Sequence, residues 1–221
     1  MIKLVWVLRR AESLSLEVFA SRAVSEYAPL ALASDPAARA VALDLPEKAS
    51  DACDAVSTWW LDPDSAGADS AGAARRFESA CGELLSRRHG WLVDEVVHWN
   101  ALAAAPWSEP TPGVKMIAFV RRLPGLSSEE FEERYRRHAD VARVHHPGIA
   151  RYVQSFVRGS VTDGAPLLDA IAELSFASRE DFAERFYRDE SSREVVAEDV
   201  EGFLDRRRTW SVLTRERLLR R

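Results

Sequence analysis

Residues 2–22 read IKLVWVLRRAESLSLEVFASR, and residues 114–134 read VKMIAFVRRLPGLSSEEFEER. At an offset of 112, Lys3, Arg9, Arg10, Leu14, Ser15, Glu17, Phe19 and Arg22 recur as Lys115, Arg121, Arg122, Leu126, Ser127, Glu129, Phe131 and Arg134. That is eight identities in the twenty positions from 3 to 22, with no gap. Chance supplies about one or two, so the chain reads as a tandem duplication. Its unit is roughly half of the 221 residues. Between the copies, residues 101–113 read ALAAAPWSEPTPG, with prolines at 106, 110 and 112. Proline removes backbone donors and disfavours helix in the residue before it. The segment therefore reads as an extended linker between a first unit, 1–100, and a second, 114–221.

Each half repeats one order of elements. In the second, 115–121, 151–158, 170–176 and 209–214 are β-rich runs. A helix capped by Ser127 or Ser128 opens on Glu129-Glu130 and stops at Pro147-Gly148. A second helix is expected from Ser178 to about Leu204. In the first half, strands are expected near 3–8, 40–45, 56–61 and 93–99, and helices near 15–33 and 72–89, with a small polar loop over 62–72. The order βαββαβ is the ferredoxin-like unit, a four-stranded antiparallel sheet with both helices on one face. The other face is apolar and must be covered. Two copies in one chain can cover each other, which predicts an α+β fold with two sheets face to face, a fused pseudo-dimeric barrel.

Composition bounds the function. Apolar residues make up 47% of the chain and charged residues 29%, enough for a packed core and unlike a disordered chain. The net charge of −5 does not suit a nucleic-acid binder. No apolar run reaches the ~20 residues that span a bilayer. The early run Leu4–Leu8 is too short for a secretory core, so a cytoplasmic chain without a membrane partner is expected. Cys53 and Cys81 form no CxxC, and neither a disulfide framework nor a cysteine metal site is indicated. Lysine occurs three times only, at 3, 48 and 115, leaving 27 of the 30 basic residues as arginine. No mechanism is read from that.

The stretch VKMIAFVRRLPGLSSEEFEERYRRHADVARVHHPGIARYVQSFV resembles the EthD-like family of the dimeric α+β barrel superfamily. The opening strand, the turn into the helix, the pair His138-Ala139, the Pro-Gly break and the strand Arg151–Gln154 all match. Where the family has proline after this pair, the chain has Asp140. In the first half the cognate segment is Tyr27-Ala28-Pro29-Leu30, one residue out of step with the offset of 112, with tyrosine in place of the histidine. The resemblance implies a cavity that binds a small aromatic or polyketide-like molecule and one fuller site, in the second half. It also implies chemistry of the decarboxylase, cyclase, isomerase or quinone-forming oxygenase kind, without a cofactor.

Phe131, Tyr135, His138, Ala142 and His145 share one helix face at steps of 4, 3, 4 and 3. His138 is either a packed core-edge histidine or, as the resemblance implies, an acid–base group at the cavity, a role its ordinary pKa of ~6.5 suits. Tyr152, Gln154 and Phe156 alternate with Arg151, Val153 and Ser155, so one set faces the helices and the other the barrel interior. Facing the cavity, Tyr152 and Gln154 would bind a developing oxyanion; otherwise they pack. Trp6, Trp59, Trp60 and Trp210 lie on strands, where they either pack or stack on a flat ligand. With Tyr27, Phe119, Tyr135, His145 and Phe156 they complete the expected substrate-lining set. His138 and His145 stand two helical turns apart, roughly 10 Å, and no HExxH is present, so no metal site is expected. Two other readings remain: an accessory protein that sequesters an apolar metabolite, and a haem-binding or haem-degrading barrel, against which the missing histidine of the first half counts. Dimerisation beyond the paired repeats stays open.

Overall fold

The computed structural model describes residues 1–63, 72, 82–107 and 109–220. The first repeat contributes β1 (Ile2–Arg10), α1 (Leu16–Arg22), α2 (Ala28–Ser34), β2 (Ala38–Pro46), β3 (Ala55–Leu61) and β4 (Leu85–Asn100). The second contributes β5 (Val114–Val120), α3 (Ser128–His145), β6 (Ile149–Ser160), β7 (Ala170–Phe176), α4 (Arg179–Glu184), α5 (Glu190–Glu201) and β8 (Trp210–Arg220). All strand pairs are antiparallel, and the eight strands close into one barrel in the order β1-β3-β2-β8-β5-β7-β6-β4. Each half keeps the ferredoxin-like order, fourth-first-third-second. The two sheets do more than face each other: β2 pairs with β8 and β4 with β6. The four sheet edges are thereby consumed, which removes unpaired strand groups.

The registers define a pseudo-two-fold along the barrel axis. Lys3 and Lys115 correspond, as do Thr58 and Glu173, Glu95 and Glu216, and Asp44 and Ser155. The first helix of repeat one departs from this symmetry at the point where its sequence runs one residue ahead. Ala23–Tyr27 form a π turn, closed by a bond from the Ala28 N–H to the Ala23 carbonyl. A π turn holds one extra residue within a helix, which absorbs the insertion and brings Tyr27 to the position of His138.

Two expectations need correction. The helix expected over 72–89 lies largely outside the described residues, as does the loop over 62–72, but residues 85–89 already belong to β4. There they pair with β1, and burial between sheet neighbours overrides helical pattern. The long helix expected from Ser178 to Leu204 is two. Between them the chain turns so that Phe186 packs on Phe176 at 5.7 Å and Phe182 at 5.7 Å. Asp189 then caps α5 by accepting from the Ser192 N–H.

The core has three parts. Beneath the helices of repeat one lie Leu4, Trp6, Phe19, Tyr27 and Trp59; beneath those of repeat two lie Phe131, Tyr135, Tyr152, Phe156 and Phe176. The barrel interior is half apolar, built from Val5, Val93, Ile117, Phe119 and Ile171, and half charged. In the charged layer Glu173 bridges the two repeats, one oxygen 2.7 Å from Lys3 and the other 3.0 Å from Lys115. Lys3 also meets Glu95 at 2.6 Å and Ser155 at 3.1 Å. Lys115 also meets Asp44 at 3.0 Å and pairs with Glu216, which Arg151 holds at 2.7 Å. Two of the three lysines of the chain are thus the buried cations of this layer. Burial raises the Asp44 carboxyl to about 6 against the pull of Lys115. Burial also works to raise the pKa of Glu173, but Lys3, Lys115 and Arg151 outweigh it and hold the carboxylate far below its usual range.

Candidate active site

The helix face expected from spacing is the one that packs on the sheet. A capping box starts α3, with the Ser127 hydroxyl on the Glu130 N–H and the Glu130 carboxylate on the Ser127 N–H. From there Phe131, Tyr135, His138, Ala139 and Ala142 turn inward. Between α3, α5 and the outer face of the second repeat's sheet lies a cavity of about 640 Å³. Its floor is Met116, Ala118, Ala172 and Leu174; its walls include Tyr135, His138, His146, Tyr152, Val196 and Val200; Arg193 and Arg206 also line it. The His138 cavity is therefore under the helices and not inside the barrel as expected, because the middle of the interior is filled by the apolar cluster and the charged layer.

His138 is nearly buried, and its Nδ1 stands 2.6 Å from Oδ2 of Asp199 on α5. A carboxylate accepting at Nδ1 fixes the tautomer that leaves the lone pair on Nε2. Beside it Tyr135 and Tyr152 both line the cavity. Gln154 donates from Nε2 to the Tyr152 oxygen at 3.0 Å and to the Tyr135 carbonyl at 2.6 Å. Its Oε1 accepts from His98 Nε2 at 2.9 Å, since an amide oxygen can only accept. With its oxygen already accepting, Tyr152 keeps its own O–H to donate. Burial pushes that phenol up to about 12, so it stays protonated. His146 Nδ1 donates to the Phe186 carbonyl, and burial lowers this imidazole's pKa.

Of the residues the sequence singled out, His138, Tyr152 and Tyr135 meet at this cavity. The others do not line it. Gln154 is fully buried with both ends of its amide engaged, so it holds Tyr152 rather than meeting a ligand. Phe156 packs edge-on against Tyr135 at 6.1 Å and under the Arg136 guanidinium at 4.3 Å. His145 reaches across to α5 instead, to the buried Ser192 hydroxyl at 2.9 Å. Trp6, Trp59 and Tyr27 fill the core of repeat one. Trp60 faces the charged layer, its indole donating to Glu95 at 3.1 Å beneath Lys3. Phe119 and Trp210 stack on each other at 3.8 Å in the barrel. Sequence reasoning missed Asp199 and His146. The first sits within the Val196, Val200 and Phe203 stripe of the charged helical stretch, and a carboxylate inside an apolar stripe is the signal that could have exposed it.

Residues 123–207 match the family model of the EthD domain. No curated protein matches the chain. Among solved structures, an anthrone oxidase-like protein superposes with a TM-score of 0.65 at 9% identity, over 99% of this chain and 92% of that one. A protein assigned as a monooxygenase from Lactobacillus acidophilus NCFM does so with a TM-score of 0.58 at 12% identity, over 99% and 95%. A variant of chlorite dismutase from Candidatus Nitrospira defluvii reaches 0.54 at 13%, over 97% and 90%. The fold is that of the dimeric α+β barrels. The stretch that the EthD model matches lies within the second repeat and includes His138 and Asp199.

Proposed function

We propose that the second repeat is a cofactor-independent enzyme acting on a small aromatic or polyketide-like molecule, with His138 as its acid–base group. The observation that carries this reading is the His138–Asp199 pair at 2.6 Å on the wall of an apolar cavity of about 640 Å³. A buried imidazole held by a carboxylate at Nδ1 presents Nε2 as a base. It would take a proton from a carbon next to a carbonyl or from a phenol, and later return it. The Tyr152 O–H would donate to the oxygen on which charge develops, inside a cavity where such a bond is strong. Arg193 and Arg206 would meet an acidic substituent of the substrate. The name of the anthrone oxidase-like neighbour agrees with aromatic chemistry in this fold.

The test is turnover of a panel of β-keto aromatic acids, scored by substrate loss and by oxygen uptake. His138→Ala is expected to lower the rate about a hundredfold to ten-thousandfold. Tyr152→Phe is expected to cost about a hundredfold, as for the loss of one oxyanion donor. Asp199→Asn should lose activity while keeping ligand affinity. Rates equal to the parent's in all three variants would remove the assignment. A ligand bound and released unchanged by every form would make the cavity a store rather than a catalyst.

A further inference from the structure

A second cavity, of about 310 Å³, opens at one mouth of the barrel. It lies inside the strands, away from the helices that roof the His138 cavity. The mouth sits on the pseudo-two-fold: His89 and Trp210, which both line it, are equivalent positions of the two repeats. Its wall is aromatic. Trp210 stacks on Phe119 with rings 12° from parallel, and Trp91 follows at 6.4 Å from Phe119 and 6.4 Å from His89. The indole of Trp91 is anchored by donating to the Pro166 carbonyl at 3.1 Å.

Its rim is cationic in a way the sheet alone does not favour. Arg9 and Arg87 are directly opposed across β1 and β4, and both line the cavity. Like charges directly opposite on a sheet destabilise it. Arg9 donates to the carbonyls of Ser50 and Asp51 and lies 3.8 Å from the Asp54 carboxylate. Among the described residues Asp51 is the one carboxylate that lines the cavity. The net charge of the lining is positive in a chain whose net charge is −5.

From this geometry we infer that the barrel mouth is a binding site for a planar aromatic monoanion, such as an aromatic carboxylate. The ring stacks against Trp210 and Trp91 while the anionic group bridges the opposed Arg9 and Arg87. A bridging anion relieves the cross-strand repulsion, and a charge-assisted contact to arginine supplies orientation as well as affinity. The site is independent of His138 and of any reaction there.

The experiment is a titration of the intact chain with 2-naphthoate, followed by ligand-observed NMR, with 2-naphthylmethanol as the uncharged match. Three variants accompany the parent: Arg87→Glu, which turns the opposed pair attractive; Trp210→Leu; and Ala197→Trp, which blocks the His138 cavity that Ala197 of α5 also lines. Naphthoate is expected to bind the parent and the Ala197 variant alike. Its affinity should fall by about tenfold or more in the Arg87 and Trp210 variants, the size of one lost charged contact, and the alcohol should bind as weakly. Affinity unchanged by Arg87→Glu overturns the proposal. So does binding that Ala197→Trp abolishes, or no binding by the parent at millimolar concentration.

Discussion

Beneath the helices of the first repeat, Trp6 and Trp59 stand on neighbouring strands with ring centroids 6.1 Å apart. At the matching register positions the second repeat has Ala118 and Leu174, and both line the His138 cavity. The same sheet-and-helix layer is thus filled by two indoles in one copy and left open in the other. Tyr27 stands where His138 stands, on a helix widened by a π turn. A duplicated unit can turn one copy into solid support and keep the other hollow, because the closed barrel makes each depend on the other's edges.

The comparison can be broken first at the charged layer. Lys115→Met is expected to destabilise the chain by about 3–5 kcal/mol, since it leaves buried Asp44 without its cation and takes one cation from each of Glu173 and Glu216. Lys3→Met should cost less, because its partner Glu95 keeps a quarter of its side chain in water. Urea unfolding of both variants measures the difference, and equal losses would mean that the layer is not divided as drawn. In the filled repeat, Trp59→Ala should cost about 3–5 kcal/mol by opening a cavity where none is wanted. The same melts would show it. In the hollow repeat, Leu174→Trp copies the first repeat's residue into the cavity. It should cost about 1–3 kcal/mol from overpacking and abolish ligand binding there; retained binding would place the ligand elsewhere.

The smallest effect is one of pH. Asp44 has its carboxyl raised from 3.8 to about 6 by burial. Between those values the folded chain holds a proton that the unfolded chain releases, so this group's contribution to stability falls as pH rises from about 4 to about 6. Glu173 and Glu216 are lowered and act below that window, where their contribution is lost as pH falls. Asp44→Asn should flatten the slope between pH 4 and pH 6. Unfolding midpoints at the two pH values check it.

Much of this molecule is legible in its residues. The offset of 112, the strand runs, the serine-capped helix and its inward face follow from local chemistry: backbone preference, capping and the 3.6-residue period act within a few residues of each other. The families of strands and their antiparallel order follow from the duplicated pattern. Which face of each strand meets the helices does not. In an ordinary two-layer sheet polarity marks the outside, but here both faces are covered, and every residue of β7 is buried. Alternation then separates two sets without saying which lies where, so Tyr152, Gln154 and Phe156 could not be placed from pattern alone. Nor could the lysines, rare but silent in composition, be seen as the paired cations of a buried layer. The Asp199 carboxylate beside His138 is 61 positions away in the chain. Only closure of the barrel, which fixes the strand faces and swings α5 over α3, brings that pair together.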